Sequence, residues 1–236
     1  MSEQALPLLG EGLDPELRQD LATVTESVPL DLGGGATSLK VFLLAELIIA
    51  RGLNRIVEIG VYRGRLMLPL ARLMSRLGRG EVIGIDPYSA VEAVQHDAEL
   101  DGVDLVSWPQ TVNWDDLHDE VLAGIKRWGL DRARLLRARS EDVAQDLANV
   151  PIDLLHVDGN HDRDAVSRDL ELYLPLMRDR GMLIMDDVGW PSVRDVFEAL
   201  AAEHKALFRL TESGTFLTPA RGGNDFAVLE VHQDRS

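Results

Sequence analysis

Hydrophobic positions along this chain gather into short, strand-length runs separated by amphipathic stretches. Ile56-Val57, Val82-Ile83, Leu154-Leu155 and Met182-Leu183-Ile184 are apolar at consecutive positions, the pattern of strands covered by helices on both faces. The alternation predicts strand 55–59, helix 64–77, strand 81–86, helices near 115–128, strand 133–138, helix 140–148, strand 152–158, helix 162–177 and strand 181–187. Repeated βα units of this kind build a parallel sheet. Thr37 or Ser38 caps a helix that runs to Arg51 and leads into the first strand. After a helix over 192–204 the pattern changes. Segments 206–211 and 225–232, divided by Ser213-Gly214 and Arg221-Gly222-Gly223-Asn224, read as a terminal antiparallel strand pair.

At 236 residues the chain reads as one α/β domain over 37–236, preceded by an N-terminal arm over 1–36. The arm is acidic, broken by Pro7, Pro15 and Pro29, and is either a loose segment or a short helix packed on the body; Gly33-Gly34-Gly35 joins it to the domain. Residues 88–114 interrupt the alternation and carry His96, Trp108, Pro109 and Trp114. Two readings stay open for them: a lid over a substrate, or surface helices that pack two tryptophans.

Composition narrows the chemistry. Twenty-four basic against 40 acidic residues give a net charge of −16, a field that repels nucleic acid and anionic membranes. The absence of cysteine excludes disulfides, thiolate catalysis, iron–sulfur clusters and cysteine-held zinc, so any metal is a hard ion on oxygen and imidazole ligands. The longest apolar run, 41–50, contains Glu46 and is far shorter than the roughly 20 residues of a bilayer span. With no basic segment leading into an apolar one at the N-terminus, the expected location is cytoplasmic.

The candidate chemistry lies where strands end. In Glu58-Ile59-Gly60-Val61-Tyr62-Arg63-Gly64 a strand runs into a glycine-bearing turn, and Asp86 ends the next strand 22 residues beyond Gly64. A carboxylate there accepts ribose hydroxyls. The spacing departs from the pyrophosphate-binding Gly-x-Gly-x-x-Gly, and Tyr62 and Arg63 stand where a diphosphate would crowd, which disfavours NAD. A phosphate-free cofactor with adenosine at Asp86 and a charged amino-acid portion near Glu58 and Gly60 fits better, and S-adenosylmethionine has that shape. The plain alternative is that the glycines serve only the turn. Asp158-Gly159-Asn160-His161 ends the fourth strand and Asp186-Asp187 the fifth, so three carboxylates and an imidazole meet at the carboxyl edge of the sheet. A divalent cation such as Mg²⁺ relieves their repulsion. Taken singly, the same acids are helix caps.

These residues together resemble the class I S-adenosylmethionine-dependent methyltransferases, in particular metal-dependent O-methyltransferases related to the macrocin O-methyltransferases of antibiotic biosynthesis and to a cephalosporin hydroxylase-like group. The carriers are Glu58 to Gly64, Gly84-Ile85-Asp86-Pro87-Tyr88, Asp153 to His161 and Gly181 to Asp187, in a resemblance that spans 37–232. It implies a Rossmann-like fold with a seven-stranded, mostly parallel sheet whose last strand is antiparallel. It also implies a cofactor-binding set of Glu58, Gly60, Tyr62, Gly64, Asp86, Ser140 and Asp158, with Glu141 beside Ser140 at the adenine edge, and Asp158, Asp186 and Asp187 as metal ligands. The expected reaction is methyl transfer to a hydroxyl of a small molecule, a sugar or other natural product, with His161 as general base and Asp158 in reserve. His96 is a weaker candidate, and strand alternation makes His156 a core residue. Two other functions stay open: an NAD(P)-dependent oxidoreductase and a catalytically inactive S-adenosylmethionine-binding module. The expected partner is the acceptor alone, with the apolar helix at 41–50 and the proline-rich arm as surfaces for a homodimer.

Overall fold

The computed structural model describes residues 12–31, 35–97, 102–210 and 225–233. Its strands are β1 (Arg55–Ile59), β2 (Glu81–Asp86), β3 (Ala133–Arg137), β4 (Ile152–Val157), β5 (Met177–Asp186), β6 (Lys205–Leu210) and β7 (Phe226–Glu230). They form one seven-stranded sheet in the order β3-β2-β1-β4-β5-β7-β6, with β7 antiparallel to both its neighbours and the other pairings parallel. The expected antiparallel closure is therefore present. The turn residues assigned to it, 213–214 and 221–224, lie outside the described residues.

Helices α1 (Pro15–Glu26), α2 (Ser38–Arg51), α3 (Met67–Leu77) and α4 (Trp114–Trp128) cover one face of the sheet. Helices α5 (Ser140–Leu147), α6 (Arg163–Tyr173) and α7 (Pro191–Glu203) cover the other. Strand alternation divides the core accordingly. Ile56, Val82, Leu154 and Ile184 face the first layer, and Val57, Ile83, Leu155 and Met185 the second. Gly84 belongs to the first set, where a Cβ would fall 2.6 Å from Met67 Sδ and from Val61 Cγ2, so its missing side chain is what seats α3 on the sheet.

Three boundaries differ most from the sequence expectation: the start of α3, the end of α6 and the start of β5, which opens at Met177 and not at 181. The helix expected from 64 begins at Met67, because Tyr62 (φ +50°) and Gly64 (φ +75°) carry the chain through two successive turns first. The helix expected to reach 177 ends at Tyr173, where Pro175 lacks the N–H to continue it, and Met177 already pairs with Ile152 in β5. The arm contains the packed helix of the two readings: Asp14 caps α1, Leu21 and Val24 enter the core shared with α2 and α3, and Arg72 pairs with Asp20 at 2.9 Å. Within 41–50 only Ile49 and Ala50 are exposed, so the apolar side of α2 packs inside the chain.

Candidate active site

Four strand ends bring the candidate residues together, each for a local reason. Gly60 has φ +85°, and a Cβ on it would land on the carbonyl oxygen of Asp158. Glycine is needed here so that β1 can turn against the end of β4, a closer constraint than cofactor approach. Asp86 closes the same turn from β2: its Oδ2 accepts from Val61 N (3.0 Å) and Tyr62 N (2.8 Å), and its Oδ1 from Tyr88 N (2.7 Å). Oδ1 thus carries one such bond and Oδ2 two. Burial raises the Asp86 pKa, and the three N–H donors work against that rise.

Glu58 is buried, its Oε2 has no hydrogen-bond partner among the described residues, and burial pushes its pKa up. Gly64 leaves space that Leu68 and Val121 of α4 border at 3.2 Å, so its role is in packing the turn. Ser140 donates to Asp169 of α6 and its carbonyl accepts from Tyr173 Oη at 2.8 Å, while Glu141 pairs with Arg139 at 2.9 Å. The Tyr62 ring meets Trp108 at a tilt and Trp114 edge-on, each at 6.2 Å between ring centres, and its hydroxyl lies 3.4 Å from Asp31 Oδ2.

At the ends of β4 and β5 the acids and imidazoles do converge. Donor atoms of His156, Asp158 and Asp186 lie within 4.8 Å of one another, as do those of Asp158, His161 and Asp187, so the two triads share Asp158. His161 Nε2 stands 3.1 Å from Asp187 Oδ2 and 3.6 Å from Asp158 Oδ1. Its Nδ1 lies 3.1 Å from Gln95 Oε1, and its ring meets Trp190 edge-on at 4.7 Å. A carbonyl oxygen only accepts, so Nδ1 carries a proton and Nε2 is the atom turned toward the acids. Burial works against the imidazolium, but Asp158 and Asp187 outweigh it and raise the His161 pKa. Burial also raises Asp158, and it pushes Asp187 up to about 7. Asp187 adopts φ +51°, one of three non-glycine residues at this edge, with Tyr62 and Tyr88, held in the left-handed region.

Two residues that sequence reasoning passed over complete the cluster. His156 is fully buried on the strand face that carries Glu58, with Nδ1 3.5 Å from Glu58 Oε1 and Nε2 3.4 Å from Asp186 Oδ2. Burial and Lys40 disfavour its charged form, yet Asp186, Glu58 and Asp158 prevail and raise its pKa to about 9. Lys40 of α2 is buried as well, pairs with Asp186 Oδ2 and lies 3.0 Å from His156 Nε2. Burial favours protonation of Asp186, but Lys40 and His156 hold its pKa well below the usual carboxylate range. The signals were there: Lys40 precedes the buried Leu44 and Ile48 at helical spacing, and His156 shares strand parity with Asp158.

The long stretch after β2 is tied down beside this cluster. Asn160 Nδ2 donates to Glu92 O (3.1 Å) and Val94 O (2.7 Å), and Asp162 accepts from His96 N and Asp97 N, both at 2.7 Å. His96 thus contributes its backbone, and of regular structure between β2 and α4 the described residues show only a 3-10 turn, Trp108–Thr111. Residues 98–101 lie outside them.

The methyltransferase-domain family matches residues 57–188, more than half of the chain and all four strand ends of the cluster. The chain belongs to that family. Solved structures agree in fold. An O-methyltransferase of Streptomyces achromogenes, TomG, involved in tomaymycin synthesis and solved with S-adenosylmethionine, is 18% identical over 94% of this chain and 92% of its own, with TM-score 0.60. An O-methyltransferase from Bacillus cereus solved with S-adenosylhomocysteine is 19% identical over 94% and 93%, with TM-score 0.59. An rRNA methylase from Streptococcus thermophilus is 14% identical over 80% and 95%, with TM-score 0.51. No curated protein matches the chain. Membership of this family does not favour the NAD(P)-dependent oxidoreductase. No helix among the described residues of this methyltransferase is long and apolar enough to cross a membrane.

Proposed function

We propose that this methyltransferase uses S-adenosylmethionine and a hard divalent cation such as Mg²⁺ to methylate a hydroxyl of a small molecule. The observation that carries the reading is a pair of unfilled buried oxygens: Glu58 Oε2 on the cofactor side and Asp186 Oδ1 on the acid side, neither with a hydrogen-bond partner among the described residues. Glu58 fits the amino group of the cofactor's methionine portion, Asp86 Oδ1 its ribose, and Ser140 its adenine edge, with Gly60, Tyr62, Gly64 and Asp158 shaping the slot. Asp158, Asp186 and Asp187 suit a hard cation by their oxygen chemistry, with Asp158 shared between a set that holds Asp187 and one that holds Asp186.

Bound there, S-adenosylmethionine supplies an electrophilic methyl group on a sulfonium. A divalent cation supplies Lewis acidity, which lowers the pKa of the acceptor hydroxyl. The chain does the rest by placing groups. His161, held at Nδ1 by Gln95 and against the Trp190 ring, presents Nε2 to the acid cluster and is the base we assign to the hydroxyl proton, with Asp158 in reserve; a bound cation would offset the acids that otherwise favour its imidazolium. The Glu92–Asp97 segment is bonded to Asn160 and Asp162 and so lies beside the cluster.

A natural-product or sugar acceptor draws support from TomG, whose fold this chain shares, and from the net charge of −16, which disfavours RNA even though an rRNA methylase has the same fold. The cytoplasmic location and the division into a 1–36 arm and a 37–236 domain belong to the same proposal. Calorimetry tests the cofactor: S-adenosylhomocysteine binds and NADH gives no heat. Asp187→Asn abolishes Mg²⁺-stimulated turnover on a hydroxylated acceptor and leaves S-adenosylhomocysteine affinity within about twofold, since Asp187 touches the acid side alone. Full activity in EDTA would remove the cation from the reaction.

A further inference from the structure

The chain has three lysines, Lys40, Lys126 and Lys205, and only Lys40 is buried. An ammonium with no exposure persists only where fixed negative charge offsets its lost hydration. Here that charge comes from the cluster assigned to the divalent cation. The ammonium pairs with Asp186 Oδ2, lies 3.0 Å from His156 Nε2 and sits 5.2 Å from the centre of the Phe226 ring. His156 in turn reaches Glu58, so the lysine stands at the inner triad of His156, Asp158 and Asp186, while the outer triad of Asp158, His161 and Asp187 carries no lysine. The other oxygen of Asp186, Oδ1, is buried with no hydrogen-bond partner among the described residues.

We propose that Lys40 is a resident cation that competes with the divalent ion for the acid cluster, neutralising Asp186 in the unloaded site and keeping divalent affinity low enough for the ion to exchange. The geometry gives the sign. A positive charge fixed on one oxygen of Asp186 repels a second cation on the other and weakens the shared acid Asp158 as a donor. Without Lys40, the cluster gains one net negative charge and its pull on a divalent ion rises. A merely structural lysine predicts the opposite, because loosening the cluster would weaken metal binding.

The inference rests on the divalent-cation reading of Asp158, Asp186 and Asp187, and the test separates the two. Mn²⁺ binding is measured at pH 8 by calorimetry and electron paramagnetic resonance on the full chain, on Lys40→Met and on Asp187→Asn. Lys40→Met is expected to bind Mn²⁺ at least tenfold more tightly than the native chain, and Asp187→Asn at least tenfold more weakly. Native-like or weaker binding by Lys40→Met overturns the Lys40 inference alone. No uptake by any of the three overturns the cation reading and this inference with it, whereas uptake by Lys40→Met and by neither of the others supports competition. Should Lys40→Met fail to fold, the native chain labelled with ¹³C at the lysine ε-carbons gives three signals, assigned through Lys126→Arg and Lys205→Arg. Mg²⁺ is expected to shift the Lys40 signal and leave the other two in place. Mg²⁺ uptake measured by calorimetry with no movement of that signal refutes the competition.

Discussion

Replacing Asp86 with alanine separates two roles that the carboxylate combines. In the folded chain it accepts three backbone N–H groups, from Val61, Tyr62 and Tyr88, at 2.7 to 3.0 Å, and it is only 7% exposed. Hydrogen bonds to a charged group contribute about 1.5–3 kcal/mol each, and three on one carboxylate do not add fully. Burial of the charge, which raises the Asp86 pKa, subtracts from the sum. The expected loss for Asp86→Ala is therefore about 3–5 kcal/mol, a large share of the roughly 5–15 kcal/mol of a typical domain. Asp86→Asn keeps an accepting oxygen for one side of the turn and should lose about half as much. Urea unfolding and S-adenosylhomocysteine calorimetry on the same samples give both numbers. A stability loss under about 1 kcal/mol with cofactor binding gone would refute the turn-closing role. A folded but weakened variant with native cofactor affinity would instead refute the ribose contact.

Gly60→Ala is expected to yield no soluble folded protein, because its Cβ meets the backbone of Asp158 at φ +85°; recovery of a native-like circular dichroism spectrum would contradict this. Asn160→Ala with Asp162→Ala frees the Glu92–Asp97 segment, and limited proteolysis should cut there while S-adenosylhomocysteine affinity stays within about threefold. Asp169 titrates at about 6, above its ordinary 3.8, because burial disfavours its charge. Its stabilising contribution is thus present below about 4 and lost as pH rises through 6, so the stability of the native chain relative to Asp169→Asn should fall by about 2–3 kcal/mol between about pH 3.5 and 7, measured by urea unfolding at each pH.

The sheet was legible because its signals are local. Consecutive apolar pairs such as Ile56-Val57 and Leu154-Leu155 mark strands buried on both faces, and β1 and β2 fall where the pattern places them. Boundaries were lost where a backbone conformation decides. Nothing in the residue type of Tyr62 announces φ +50°, and that turn delays α3 to Met67. The acids were legible as a group, since each ends a strand whose direction the βα alternation fixes. The division of labour among them was not, because it depends on what α2 brings from the layer that covers them.

The cluster is best understood as a consequence of strand parity and register. Parallel pairing sets Glu58 beside His156 and His156 beside Ile184, so Asp186, two residues on, projects from the same face as Glu58 and His156. That face is covered by α1 to α4, and a covered face tolerates charge only when opposite charge is supplied from the cover. Position 40 supplies it: it lies one and two turns before Leu44 and Ile48, on the stripe of α2 that enters the core, and a lysine there carries its ammonium to Asp186. Asp187, one residue beyond the end of β5, and His161 fall outside the covered face, at its rim, where ligands can reach them. The same alternation that buries Asp186 against Lys40 thus leaves Asp187 part-exposed, and this is why Asp187→Asn should weaken divalent binding with little effect on folding while Lys40→Met strengthens it.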